Sequence, residues 1–245
     1  MRVKKNLLLF LLMQFFVVKA QKSMSHQELY WLRYYNQISF NKKWVWHNEV
    51  ENRRFFKNNS QHQLVTHTHL HYKAFPNLDM ALGLTYFLQS PQDPNSTSSF
   101  IVPEIRPFQE IAYTNSFTKR FALQQRIRVE ERYIHKNDGK ILQDGYNFNF
   151  RFRYRLQASF KLRKDDRNPQ TIVKIGDELM INGGESVVYN QFDQNRFYAA
   201  LEQEINKNVS IELSYINWYQ QRSAGNQFFD RDIVRLTLYH KINLD

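Results

Sequence analysis

The chain has 245 residues, 16% of them aromatic, with 20 Phe, 14 Tyr, only 7 Gly and 6 Pro, no cysteine, and a formal charge of +11. This composition excludes disulfides, thiolate metal centres and cysteine nucleophiles, and it argues against disordered or collagen-like structure. The basic residues alternate with apolar ones and form no run, so no nucleic acid is expected as a partner.

Residues 1–20 read as a cleaved export signal, followed by a single domain over residues 21–245. Arg2, Lys4 and Lys5 open the segment, Leu7 to Val18 form an apolar core broken only by Gln14, and Val18 and Ala20 supply the small residues of a cleavage site. Without this segment the charge is +7. No cysteine follows it, which excludes lipoprotein processing. Beyond Val18 no apolar run is long enough to cross a membrane as a helix.

From there the period is two, the period of a strand. Tyr30, Leu32, Tyr34, Ile38 and Phe40 oppose Trp31, Arg33, Tyr35, Gln37 and Ser39. From Val45 to Arg53, His47, Glu49, Glu51 and Arg53 share a face. Over 62–74, Leu64, Leu70 and Tyr72 oppose His67, His69, His71 and Lys73. Over 78–88, Leu78, Met80, Leu82, Leu84 and Tyr86 oppose Asp79, Ala81, Gly83 and Thr85. Over 104–113, Glu104, Arg106, Phe108 and Glu110 oppose Ile105, Ile111 and Tyr113. Over 120–133, Arg126, Arg128, Glu130 and Arg132 oppose Ile127, Val129 and Tyr133. Residues 146–156 are the clearest case: Tyr146, Phe148, Phe150, Phe152, Tyr154 and Leu156 oppose Asn147, Asn149, Arg151, Arg153 and Arg155. Weaker alternation over 170–181 places Lys174, Gly176 and Glu178 together. Over 194–205, Arg196 and Glu202 oppose Phe197, Ala199 and Leu201. Over 209–221, Val209, Ile211, Leu213 and Tyr215 oppose Glu212 and Ser214. Over 231–242, Val234, Leu236 and Leu238 oppose Arg231, Arg235 and Thr237.

Eleven long alternating segments, aromatic on one face and charged on the other, predict an all-β fold. The expected architecture is a transmembrane antiparallel up-and-down β-barrel of about 10–12 strands, aromatic outside and charged inside. Short connections at 41–42, 75–77, 115–116 and 206–208 alternate with longer ones at 90–103, 136–145, 183–193 and 222–230. That is the rhythm of periplasmic turns and outer loops. The connection at 161–169 is long for its side. Because single-chain bacterial barrels have an even strand number, either one of the eleven segments is misread or residues 22–29 add a short strand, with about twelve strands favoured. The final residues lack the terminal aromatic common in such barrels.

Several local patterns, in order along the mature chain, resemble the DUF2490 family of uncharacterised bacterial proteins, predicted outer-membrane barrels. They are Trp44 with the segment Glu49 to Arg53, the segment Pro103 to Gln109, the segment Gln125 to Arg132, Gly176-Asp177-Glu178 leading to Asn182, and the segment Phe192 to Arg196. The resemblance implies a barrel in the outer membrane and assigns no catalytic residue.

The residues expected to line the lumen are Glu49, Glu51, Arg53, Glu104, Arg106, Glu110, Arg126, Arg128, Glu130, Arg132, Arg151, Arg153, Arg155, Arg196, Glu202 and Arg235. Such rows serve either as a structural ladder filling the barrel or as a charged constriction for ions. His67, His69 and His71, on one face with Glu49 and Glu51 nearby, are weak candidate metal ligands. No cofactor and no catalytic residue is expected. The function expected is non-enzymatic, structural or weakly porin-like, in the bacterial outer membrane. Its partners are outer-membrane lipid and, during biogenesis, the barrel-assembly machinery; nothing in the sequence speaks to oligomeric state. A lipid-modifying enzyme is the competing class, with Ser186 and Ser214 available but no nucleophile elbow or ordered triad. A soluble periplasmic β-protein binding a small ligand is the third.

Overall fold

A computed structural model of the chain describes residues 22–163 and 169–244; the expected export signal lies outside these residues. Eleven strands account for most of the described chain: β1 (Ser23–Ser39), β2 (Trp44–Phe55), β3 (Gln61–Phe75), β4 (Leu78–Gln89), β5 (Val102–Ser116), β6 (Phe121–Asn137), β7 (Leu142–Lys161), β8 (Thr171–Gly183), β9 (Phe192–Glu204), β10 (Val209–Gln221) and β11 (Gln227–Asn243). There is no helix among the described residues. Each strand pairs with its neighbours in sequence, and β1 pairs with β11, so the sheet closes into a barrel. Closure leaves no strand edge unpaired, which a long, apolar-faced sheet otherwise exposes to aggregation.

Eleven strands fall within the expected 10–12, one short of the favoured twelve. Residues 23–29 do not form a strand of their own; they continue β1, which runs for 17 residues. With an odd count the first and last strands point the same way. Ten neighbouring pairs are antiparallel, and the closing pair is parallel over 17 register positions, from Ser23 opposite Gln227 to Ser39 opposite Asn243.

The connections sort onto two ends. One end carries 40–43, 76–77, 117–120, 162–170 and 205–208; the other carries 56–60, 90–101, 138–141, 184–191 and 222–226. We call these the short-turn end and the long-loop end. All four of the expected long loops are shorter than expected. The 136–145 connection contracts to the four-residue turn 138–141, because β6 and β7 extend past the rim as a hairpin. The residues Ile141 to Phe148 of that hairpin are all exposed.

Alternation decides which side chains face out. On β7, Phe148, Phe150 and Phe152 are exposed while Asn149 and Arg151 between them are buried. The outward faces of β4, β6, β10 and β11 repeat this with Leu82, Ile127, Leu213 and Leu236, all exposed. The interior is not uniformly polar. Beside the seam, Leu29, Trp31, Phe55, Ile216, Trp218 and Ile233 form a small buried apolar cluster, with the rings of Trp31 and Trp218 edge-on at 5.8 Å. Here the barrel is filled as a core rather than left as an open lumen.

Candidate functional site

The candidate site is the barrel interior. The strands present their charged faces inward, and the antiparallel register sets arginines against carboxylates of adjacent and next-nearest strands. Glu104 on β5 accepts two bonds from Arg106, at 2.5 and 2.7 Å, and two from Arg132 on β6, at 2.5 and 3.0 Å. Glu110 accepts from Arg128 at 2.6 Å and lies 3.5 Å from Arg126. Glu178 on β8 joins Arg126 of β6 and Arg153 of β7, the latter at 2.8 Å. Glu130 meets Arg153 and Arg151. Glu51 holds Arg53 at 2.5 Å. Toward the short-turn end, Lys174 bridges Glu202 at 2.5 Å and Glu212 at 2.7 Å, and Glu212 also reaches Arg235 at 3.3 Å. Bidentate, charge-assisted bonds of this kind fix geometry as well as charge. Their net contribution to stability is small, because desolvation offsets the attraction, but removing one partner strands the other.

All sixteen charged residues expected in the lumen are placed on this inward face: they line the central cavity or pair with residues that do. Arg33, Lys174, Glu178, Asp193 and Glu212 join the lattice without having been singled out as lining residues. Arg33, Lys174, Glu178 and Glu212 sit at alternate positions in their strands, so the period-two pattern carried their signal; Asp193 falls out of alternation, beside the buried Gln194 at the β8–β9 register shift. What was lacking was the cross-strand register that pairs Asp193 with Arg151 at 2.8 Å and Lys174 with Glu212.

The lattice encloses a cavity of about 400 Å³. Its wall carries eleven arginines and Lys174 against five glutamates, so the cavity is cationic. Two of those arginines are held by amides rather than carboxylates. Arg155 donates to Gln124 Oε1 at 2.6 Å, and Arg196 to Gln194 Oε1 at 3.0 Å while lying 4.5 Å over the Trp218 ring. Neither meets a carboxylate at ion-pair distance among the described residues. Four N–H donors on the wall, from Trp31, Trp218, Arg126 and Arg155, have no acceptor among the described residues. Buried donors without acceptors are costly unless water or an anion fills the space they face. A second cavity at the long-loop end shares Gln92, Arg132, Ile134, Arg151 and Gln220 with the first, so the two are contiguous.

Near the short-turn end the inward faces of β2 and β3 bring histidines together. The register sets His47 opposite His69. Nδ1 of His69 lies 2.7 Å from Nε2 of His71, and the His47 ring stacks on that of His71 with centroids 3.9 Å apart. One nitrogen of each ring lies within 4.8 Å of the others. The expected row of His67, His69 and His71 is thereby corrected: His67 is not in the cluster and His47 is. Two residues along a strand are about 6.6 Å, so His67 sits one step deeper. There its Nδ1 is hydrogen-bonded to Thr85 Oγ1 at 2.6 Å. Gly83 makes the arrangement possible, because a Cβ at that inward position would overlap the Phe108 ring and His69 Cβ.

The two serines considered as nucleophiles are engaged elsewhere. Ser214 is buried between its contacts with the Arg235 carbonyl and guanidinium, and Ser186 Oγ donates to the Phe148 carbonyl at 2.6 Å.

None of the curated proteins or solved structures compared with the chain matches it. A family model described as a protein of unknown function, DUF2490, matches residues 28–229, from the start of the barrel wall at β1 into β11. The matched span covers most of the chain, including both histidine-bearing strands and nearly the whole charge lattice, and the chain belongs to the DUF2490 family.

Proposed function

We propose that the chain is a non-enzymatic outer-membrane β-barrel, weakly porin-like, whose cationic interior admits small anions. The observation that carries this reading is the sidedness of the wall. Large apolar residues cover the outside at alternate positions, and the ion lattice occupies the inside. A soluble barrel has the reverse incentive, since water lies outside it. The outward polar groups are tied to one another: Asn195 donates to Asp177 at 2.9 Å, and Asn217 to Asp230 at 2.9 Å. The anion preference rests on the surplus of arginine in the central cavity and on its donors without acceptors. Narrow throughput follows from the lattice and the apolar cluster, which take up most of the interior. Membrane lipid against the outer wall, and the assembly machinery that inserts such barrels, are the partners this reading implies.

Membrane fractionation with a heat-modifiability gel tests the location. The expected result is recovery in the outer-membrane fraction, with unboiled protein migrating faster than boiled. Recovery in the soluble periplasmic fraction without a mobility shift would overturn it. Planar-bilayer recording under a salt gradient tests the lumen. Small conductance with a reversal potential favouring anions is expected, and cation selectivity would refute the anion reading.

A further inference from the structure

We infer that His47, His69 and His71 form a binding site for a divalent transition-metal ion of the zinc class, built into the short-turn end of the barrel. This inference does not depend on where the barrel resides or on what passes through it.

Two of the ring nitrogens face away from the cluster, toward carboxylates. Nδ1 of His71 lies 2.7 Å from Asp79 Oδ1, and Nε2 of His69 lies 3.2 Å from Glu49 Oε1. An ionised carboxylate only accepts hydrogen bonds, so each ring carries its proton on that outer nitrogen. The inner nitrogens, His69 Nδ1 and His71 Nε2, are then both lone pairs, and they face each other at 2.7 Å. Two facing lone pairs at that distance repel unless a cation lies between or beside them. His47 adds the third donor. Its Nδ1 is bonded to the Tyr35 hydroxyl at 2.5 Å, which leaves Nε2 for the cluster.

This is the arrangement that supports metal-binding histidines generally: one ring nitrogen on the metal, the other fixed by a carboxylate or another polar partner. Three imidazoles with an open fourth position suit a tetrahedral ion with nitrogen bonds of about 2.0–2.1 Å, which places ligand atoms roughly 3.3 Å apart. The observed spread, from 2.7 Å up to within 4.8 Å, brackets that separation. Because His47 and His71 are stacked, one ring must turn for both lone pairs to reach a common centre. All three residues are buried, and Asp79 is partly exposed beside them, which gives the ion a route from the short-turn end. Neutral imidazoles without thiolates favour zinc, copper or nickel over calcium or magnesium. The bound ion would tie β2 to β3, with supporting groups from β1 through Tyr35, from β2 through Glu49 and from β4 through Asp79.

The test uses the untagged chain, folded in detergent, stripped of metal with a chelator and titrated with Co²⁺. The expected result is one equivalent of Co²⁺ bound with the intense visible bands of a tetrahedral site, displaced stoichiometrically by Zn²⁺. His47→Ala should abolish the bands and His67→Ala should leave them unchanged. Asp79→Asn should weaken binding by roughly 10–100-fold, the effect usual for an outer partner of a histidine ligand. Should His47→Ala fail to fold by the unboiled-gel criterion, X-ray absorption of the zinc-loaded parent protein reads the number of imidazoles directly, with three expected. Absence of stoichiometric binding in the folded chain would overturn the inference, as would binding that survives His47→Ala or depends on His67.

Discussion

Glu104 is the place to test whether the ion lattice holds the barrel together. The substitution Glu104→Gln keeps size and shape and removes only the charge and one acceptor. In the native wall this carboxylate receives four bonds of 2.5–3.0 Å from two guanidiniums, and the residue is 4% exposed. Hydrogen bonds to charged groups contribute about 1.5–3 kcal/mol each when judged by deletion. Breaking a buried pair costs about 3–5 kcal/mol, because the surviving charge is left without a partner. Here two arginines are stranded, but both line a polar cavity of about 400 Å³, large enough to admit water, which moves the cost to the lower end, about 3 kcal/mol. The assay is urea unfolding of the folded barrel in lipid vesicles, followed by tryptophan fluorescence and by unboiled gel mobility. The double variant Glu104→Gln with Arg132→Gln should recover part of the loss, since it removes one stranded charge. A loss below about 0.5 kcal/mol, the range of an ordinary surface substitution, would refute the reading that removing one lattice partner leaves the others stranded.

Ile127→Arg places a charge in the middle of the outward face of β6, where the native side chain is 58% exposed. In a membrane-spanning barrel it should cost about 2–4 kcal/mol in vesicle unfolding, whereas in a water-soluble barrel the change would stay near zero. Gly83→Val should lower stability by about 1–3 kcal/mol through overlap with Phe108 and His69, read by the same unfolding assay, while an outward Leu84→Val in the next position should cost less. The parallel seam is open to a direct check, because the chain has no cysteine. Leu32→Cys and Leu236→Cys are opposite one another in the β1–β11 register, so the pair should cross-link on oxidation, and Leu32→Cys with Leu213→Cys should not. Arg155→Gln together with Arg196→Gln should shift the bilayer reversal potential away from anions; an unchanged potential would remove these two arginines from the ion path.

The strands were legible because side-chain alternation is local. Any stretch such as Tyr146 to Leu156 declares its two faces from its own residues, and a strand of that length needs no knowledge of its neighbours. The same locality explains why the sixteen charged residues could be assigned to one face without a structure. Strand ends were less legible: the polar residues Gln143, Asp144 and Gly145 read as loop, yet they lie within β7, as an irregularity between the Asn137–Leu142 and His135–Tyr146 pairs that β6 makes on either side of them.

What only the tertiary structure decided is everything that depends on register and closure. No segment records that β1 meets β11 in parallel, since closure is a property of all eleven strands at once. The same holds for the histidines. His67, His69 and His71 advertise themselves by spacing, whereas His47 joins them across the β2–β3 pairing, set by a five-residue loop and a register shift at Arg53 and Arg54. Face is written every second residue along one chain segment; partnership is written between segments, and the sequence holds it only through the packing that brings them together.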